Sequence, residues 1–221
     1  MKFSKPLIHI CLSVAASCAA FSASAQTAIY SLDSTAVSAF GAGSYGKVTL
    51  TQSFSDVLVS VSLRNDLNFV DTGSHSAFSF NLGGVSSASD ITNITFANGL
   101  GSVFGVSSGT TNAPFSKFTY EINCVSNCVS GGSGGGYVDP LSFKVHNVTL
   151  SSFNQLSTGH GTAAYFAMDV INGHGNTGTI GAISAGVLAP VPEPETYAML
   201  LAGLGLIGSI THRRKQKTLT A

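Results

Sequence analysis

The 221-residue chain has no Trp, 3 Met and 4 Cys, and charged side chains make up 9% of it. An ordinary soluble domain carries roughly 25% charged residues. Formal net charge is +0, from 10 basic and 10 acidic residues. The missing basic excess argues against a nucleic-acid-binding surface. Charge-driven disorder is excluded as well, because 44% of the residues are hydrophobic and such a chain can bury a core. No H-x-H, H-E-x-x-H or D-x-D-x-D spacing occurs, so no metal or calcium loop is legible and no cofactor is expected. What the chain does have is 25 Gly and much Ser and Thr. That composition suits an exported β protein better than a cytosolic enzyme.

The zero charge conceals an arrangement. Residues 1–25 hold Lys2 and Lys5 and no acid, a net of +2. Residues 26–190 hold four bases against eight acids, a net of −4. Beyond them, Arg213, Arg214, Lys215 and Lys217 outweigh Glu193 and Glu195, again by +2. A faintly acidic body therefore lies between two basic-flanked apolar segments.

The first segment predicts a signal peptide over residues 1–25. Lys2 and Lys5 form the positive region, and Pro6–Phe21 is uncharged. Ala23-Ser24-Ala25 supplies the small residues a signal peptidase needs, with cleavage between Ala25 and Gln26. A retained membrane helix would need about 20 spanning residues, and the run is short for that. Ala16-Ser17-Cys18 is a partial lipoprotein match without the expected Leu.

The second segment reads Val191-Pro192-Glu193-Pro194-Glu195-Thr196, then 14 uncharged residues from Tyr197 to Ile210, then His212-Arg213-Arg214-Lys215. The two prolines fix φ and hold the stretch extended, the form proteolytic enzymes bind. A helix over 197–210 would extend about 21 Å, less than the roughly 30 Å hydrocarbon core. It is a marginal span that a snorkelling Arg213 lengthens. Arg213, Arg214 and Lys215 act as a stop-transfer cluster, part of a basic tail over 212–217 that stays cytoplasmic.

Pro192-Glu193-Pro194, a short apolar helix and an Arg-rich end together resemble the PEP-CTERM sorting domain of Gram-negative bacteria, over about residues 190–215. The resemblance implies a protein exported through the inner membrane and transiently anchored there by the C-terminal helix. It implies processing near Pro192-Glu193-Pro194 by exosortase, then release or attachment at the cell surface or in an exopolysaccharide-rich biofilm matrix. Signal peptidase, exosortase and exopolysaccharide are thus the expected partners.

The body, residues 26–189, reads as all-β. Val57, Val59, Val61 and Leu63 share one face, with Ser60 and Ser62 on the other. Ala77–Leu82 repeats the alternation, as do Phe118, Tyr120 and Ile122. Leu141, Phe143 and Val145 share a face, but Val148 and Leu150 take the opposite parity, which predicts a bulge at His146-Asn147. Ala164–Ile171 is apolar on both faces except Asp169, as a central strand would be. Lys47–Thr51, Ile91–Phe96 and Thr179–Ser184 are weaker candidates. Seven to nine short strands predict a β-sandwich or jelly roll. Phe69-Val70-Asp71-Thr72-Gly73, Ala77–Leu82 and Gly175-Asn176-Thr177-Gly178 also resemble a recurrent PEP-CTERM ectodomain type, which implies no defined activity.

Candidate chemistry in the body is sparse. Cys124 and Cys128 are the cysteine pair left after signal removal, and an oxidising compartment predicts a disulfide between them. Closing so short a loop stabilises by less than the roughly 3 kcal/mol of a 15-residue loop. Gly105-Val106-Ser107-Ser108-Gly109 matches G-x-S-x-G, with Asp169 and His174 following in hydrolase order. The motif needs a strand–turn–helix context that this chain does not offer, so a Ser/Gly-rich turn is the plainer reading. His160, His174 and Asp169 could form a metal site, without supporting spacing. Asn93-Ile94-Thr95 and Asn147-Val148-Thr149 match a glycosylation sequon and read as strand or turn residues in a bacterial setting. The expectation is a non-enzymatic structural protein. A carbohydrate-binding module is the first rival and a secreted hydrolase the second.

Overall fold

Short segments of alternating apolar and polar side chains bury one face each, and the body solves this by laying two antiparallel sheets against one another. The computed structural model describes residues 26–73, 75–84, 87–97, 99–126, 128, 136–189, 201–205 and 207. Among them the first sheet is formed by β1 (Thr27–Leu32), β3 (Gly46–Ser53), β4 (Asp56–Leu63), β7 (Ile91–Thr95), β10 (Leu141–Val145) and β13 (Val187–Ala189). Their order is β13-β1-β3-β4-β10-β7. The second contains β2 (Ser34–Thr35), β5 (Leu67–Phe69), β6 (Phe78–Phe80), β8 (Phe104–Thr111), β9 (Lys117–Cys124), β11 (Phe166–Asn172) and β12 (Thr177–Ala182). Here the order is β2-β12-β11-β6-β9-β8, with β5 also paired to β11. The fold class is all-β, as the alternation predicts.

Aromatic rings join the sheets. Phe78 and Phe80 of β6 meet Phe143 of β10 across the interior, with centroids 5.7 and 5.4 Å apart. Tyr30 of β1 packs edge-on to Phe166 of β11 at 4.8 Å. Around them Val48, Leu50, Val57, Val59, Val61 and Ile122 are fully buried. Such offset and edge-to-face pairs contribute about 0.5–1.5 kcal/mol each beyond the area they bury.

β11 is buried along all seven residues. Phe166, Met168 and Val170 face the sandwich interior. Ala167 faces the other way, under a smaller cluster with Phe115, Phe118 and Ala164. The 112–116 turn, which carries Phe115, and residues 70–73 and 75–76 therefore cover the outer face of the second sheet. That cover is why the strand reads as apolar on both faces, and it is what buries Asp169.

Four details differ from the sequence expectations. The parity change after Val145 is no bulge: β10 ends there, Asn147 takes φ 55, and Leu150–Phe153 form a 3-10 helix. Leu150 and Phe153, three apart, share the buried face of that turn. The irregular register lies instead between β10 and β7, at Ser142/Lys144. Gly105–Gly109 is no turn but part of β8, paired along β9. Finally, thirteen strands occur among the described residues rather than seven to nine. The extra ones are mostly two- or three-residue edge pieces without enough length to show a period.

The chain separates into a unit of residues 25–190 and a unit of residues 1–24 with 191–221. In the latter, residues 201–205 and 207 are helical. No described helix is long and apolar enough to cross a membrane.

Candidate functional site

Both ends of the body leave from one edge of the first sheet. β13 pairs antiparallel with β1, so Thr27 sits opposite Ala189, Ala28 opposite Leu188 and Ile29 opposite Val187. Gln26 is already tied to the sheet, its carbonyl accepting from the Gln52 N–H at 2.9 Å. The predicted cleavage bond before Gln26 and the start of the C-terminal segment after Ala189 thus converge on adjacent positions. Ala25, the sorting residues Pro192, Glu193 and Pro194, and the basic residues Arg213, Arg214 and Lys215 lie outside the described residues.

A second constellation lies on the outer face of the other sheet, and it is centred on Asp169. Strand pairing places this carboxylate on β11 opposite Thr179. Val70, Thr72 and Ser76 close over it through four hydrogen bonds. The Val70 N–H donates to the Asp169 carbonyl (3.0 Å), and the Asp169 N–H donates to the Ser76 carbonyl (3.1 Å). The Thr72 N–H (3.1 Å) and the Thr72 hydroxyl both donate to Asp169 Oδ2. Asp169 Oδ1 is buried and has no hydrogen-bond partner among the described residues. Burial pushes the Asp169 carboxyl up to about 6, against the opposing pull of the Thr72 donors and nearby His75.

Asp71, His75 and Ser76 form one wall of a cleft of about 340 Å³, whose lining also includes Glu121 and Asn123. The Asp71 carboxylate accepts from the Cys124 N–H at 2.6 Å. Burial, and the negative charge of Glu121, push its carboxyl above the usual value. Glu121 accepts from the hydroxyls of Ser76 and Ser107, the latter at 2.6 Å, and from Asn123 Nδ2 at 3.3 Å. His75 Nδ1 lies 3.2 Å from Asn112 Oδ1. Chemically this is a cluster of hydrogen-bonding groups and two carboxylates, with the charge of Glu121 disfavouring that of Asp71.

The candidate residues of the sequence fall as follows. Cys124 and Cys128 are joined by an S–S bond, closing the chain at the end of β9. Ser107 stands on a strand with its hydroxyl on Glu121, not on an imidazole. His174 is exposed in the turn after β11, its backbone held by Asn172 Oδ1. No hydrogen bond among the described residues joins it to Ser107 or Asp169, so the hydrolase order of these three is not assembled. His160 is exposed too, while Asp169 is buried. Among the described residues no group of three His, Cys, Asp or Glu side chains is placed to hold a metal ion.

Sequence reasoning missed the Asp71–Glu121 cleft, because fifty residues separate the two acids. A partial signal was present in the polar face of β9, where Glu121 and Asn123 alternate with Tyr120 and Ile122. Asp169 was conspicuous as the one acid in an apolar strand. The three segments that resemble the recurrent ectodomain type all surround β11: Phe69–Gly73 and β6 flank it, and Gly175–Gly178 leads from it into β12.

The body, residues 26–189, is therefore an all-β sandwich whose first and last strands pair side by side. Residues 190–215 match the family model described as the PEP-CTERM protein-sorting motif. The chain thus carries the signal of an exported protein sorted by exosortase. No curated protein and no solved structure matches it.

Proposed function

We propose that the protein is a non-enzymatic structural component of the cell surface or of an exopolysaccharide-bearing biofilm matrix, delivered by exosortase. The sorting motif at 190–215 carries this reading. In it, signal peptidase cuts between Ala25 and Gln26, and the helix over 197–210 holds the chain in the inner membrane. Exosortase then acts at Pro192-Glu193-Pro194, with Arg213, Arg214 and Lys215 as the stop. Cys124 and Cys128 remain oxidised outside the cell, bracing the end of β9.

The sandwich suits a passive role. Its aromatic side chains are spent on the core: Phe54 is the large aromatic that stands exposed among the described residues. A carbohydrate-binding platform favours a row of exposed aromatics. The Asp71–Glu121 cleft is the observation that favours a second reading, since its hydroxyl, amide and carboxylate groups can hydrogen-bond sugar hydroxyls. Such a site would bind polysaccharide weakly and without stacking.

Deletion of residues 191–221 tests the sorting role. The truncated chain is expected in the periplasm or medium without membrane-linked processing, as read by fractionation and immunoblotting. Localisation and mature mass identical to those of the full chain would contradict it.

A further inference from the structure

The tip of the β3–β4 hairpin is a two-residue turn, since Ser53 pairs with Asp56. Its first residue, Phe54, takes φ 55 and is 86% exposed. Neither packing nor backbone preference accounts for a Phe here, because left-handed φ is uncommon for bulky residues and the ring touches little. An outlier of this kind points to function rather than to stability.

Phe54 is not isolated. It lines a cleft of about 580 Å³ together with Gln26, Tyr30, Leu150 and Leu188, and among the described residues no charged side chain lines that cleft. Leu188 is 66% exposed and its neighbour Val187 71%. Large exposed apolar groups thus gather at the edge from which both chain ends leave. The cleft's polar lining groups, among them Gln26, Gln52, Ser151 and Asn154, are uncharged and suit the hydrated headgroup layer rather than the hydrocarbon core.

We infer that this edge, built from Phe54, Val187 and Leu188, docks on the surface of a lipid bilayer while the C-terminal segment is anchored. The inference rests on the reading that residues 197–210 enter the membrane. Seven residues separate Ala189 from Tyr197. Even fully extended, that connection spans no more than about 30 Å. The tether therefore keeps the edge within reach of the interface at a high effective concentration. Leu201, Leu204 and Ile207, at helical spacing, are exposed apolar residues as well. Aromatic and aliphatic side chains at a chain exit suit the headgroup boundary, where amphipathic surfaces settle. Docking there would hold the sorting motif at the depth of a membrane-embedded enzyme, and cleavage of the tail would release the weakly bound body.

The lack of Trp makes the test clean, because one introduced indole is the chain's sole such fluorophore. The full chain carrying Phe54→Trp, and separately Val125→Trp at the exposed position after β9, is reconstituted with phosphatidylethanolamine/phosphatidylglycerol vesicles containing brominated acyl chains. Docking predicts at least about twofold stronger quenching, with a blue shift, for the Trp at 54 than for the Trp at 125. Equal, weak quenching at both sites, with the chain still sedimenting with vesicles, would overturn docking and leave the anchor intact. A chain that does not sediment with vesicles would overturn the anchor reading and the docking with it.

Discussion

Replacing Phe80 by Ala is expected to lower the stability of the exported protein by about 3–5 kcal/mol, the usual cost of emptying a buried Phe site. Phe80 is fully buried on β6 and sits at the crossing of the two sheets. Its ring lies 5.4 Å from that of Phe143 in the opposite sheet, 5.8 Å from Tyr120 on the neighbouring strand and 6.1 Å from Phe153 in the 3-10 turn. Truncation removes the contact surface of three elements at once. The flanking rings belong to a rigid β framework, so the site cannot readily collapse. Against a total stability of about 5–15 kcal/mol, the loss is a large fraction of the whole. Urea denaturation should show a lower midpoint at an unchanged slope. A loss below about 1 kcal/mol would mean that the rings do not form a single packed junction.

The second large effect depends on pH. Asp169 holds its proton up to about 6 in the folded protein, against 3.8 as the ordinary value. A folded-state pKa raised above the unfolded one means that folding takes up a proton between the two. The protonated group supports the fold fully below pH 3.8, and that contribution is lost as pH rises towards 6. A shift of this size corresponds to roughly 3 kcal/mol. Asp71, also raised, adds a change of the same sign. Asp56 and Asp66 act oppositely. Arg64 holds Asp66 below the ordinary value. Partial burial would raise Asp56, but the Asn147 N–H, His146 and Lys144 together hold it down. Both support the fold at higher pH and lose that contribution as pH falls through their lowered values.

Comparison with Asp169→Asn isolates the buried group, because the amide keeps the shape and does not titrate. Relative to the wild type, the variant is expected to gain roughly 2 kcal/mol between pH 4 and pH 7 in paired denaturation curves. A stability difference between the two proteins that does not change with pH would contradict the assignment.

Legibility in the sequence followed periodicity. β4 and β9 alternate cleanly, and their buried residues are those the alternation selects: Val57, Val59, Val61 and Leu63 in one, Phe118, Tyr120 and Ile122 in the other. β11 was recognisable as central from its two apolar faces. β8 was not, because Gly105-Val106-Ser107-Ser108-Gly109 lacks apolar residues at alternate positions. It is a strand because β9 supplies partners for all its residues but Gly109. Pairing of that kind is a tertiary property that local composition does not encode. β13 is likewise defined by its three partners in β1.

The sites divide along the same line. The sorting motif is one contiguous stretch, residues 190–215, so it was legible directly in the sequence. The Asp169 centre and the Asp71–Glu121 cleft are assembled from β9, β11 and the residues Asp71, Thr72 and Ser76. Their members share no spacing in the chain. The lone acid in β11 and the polar face of β9 were partial hints of something polar folded over the sheet.

Intact-mass measurement of the mature protein, from cells with and without exosortase, tests the central claim most directly. With the enzyme, the chain should begin at Gln26 and end within or next to Pro192-Glu193-Pro194, with any attached group appearing as added mass. Without it, the chain should still begin at Gln26 but keep its C-terminal residues through Ala221. The same C-terminus in both strains, with Arg213, Arg214 and Lys215 retained, would contradict the account.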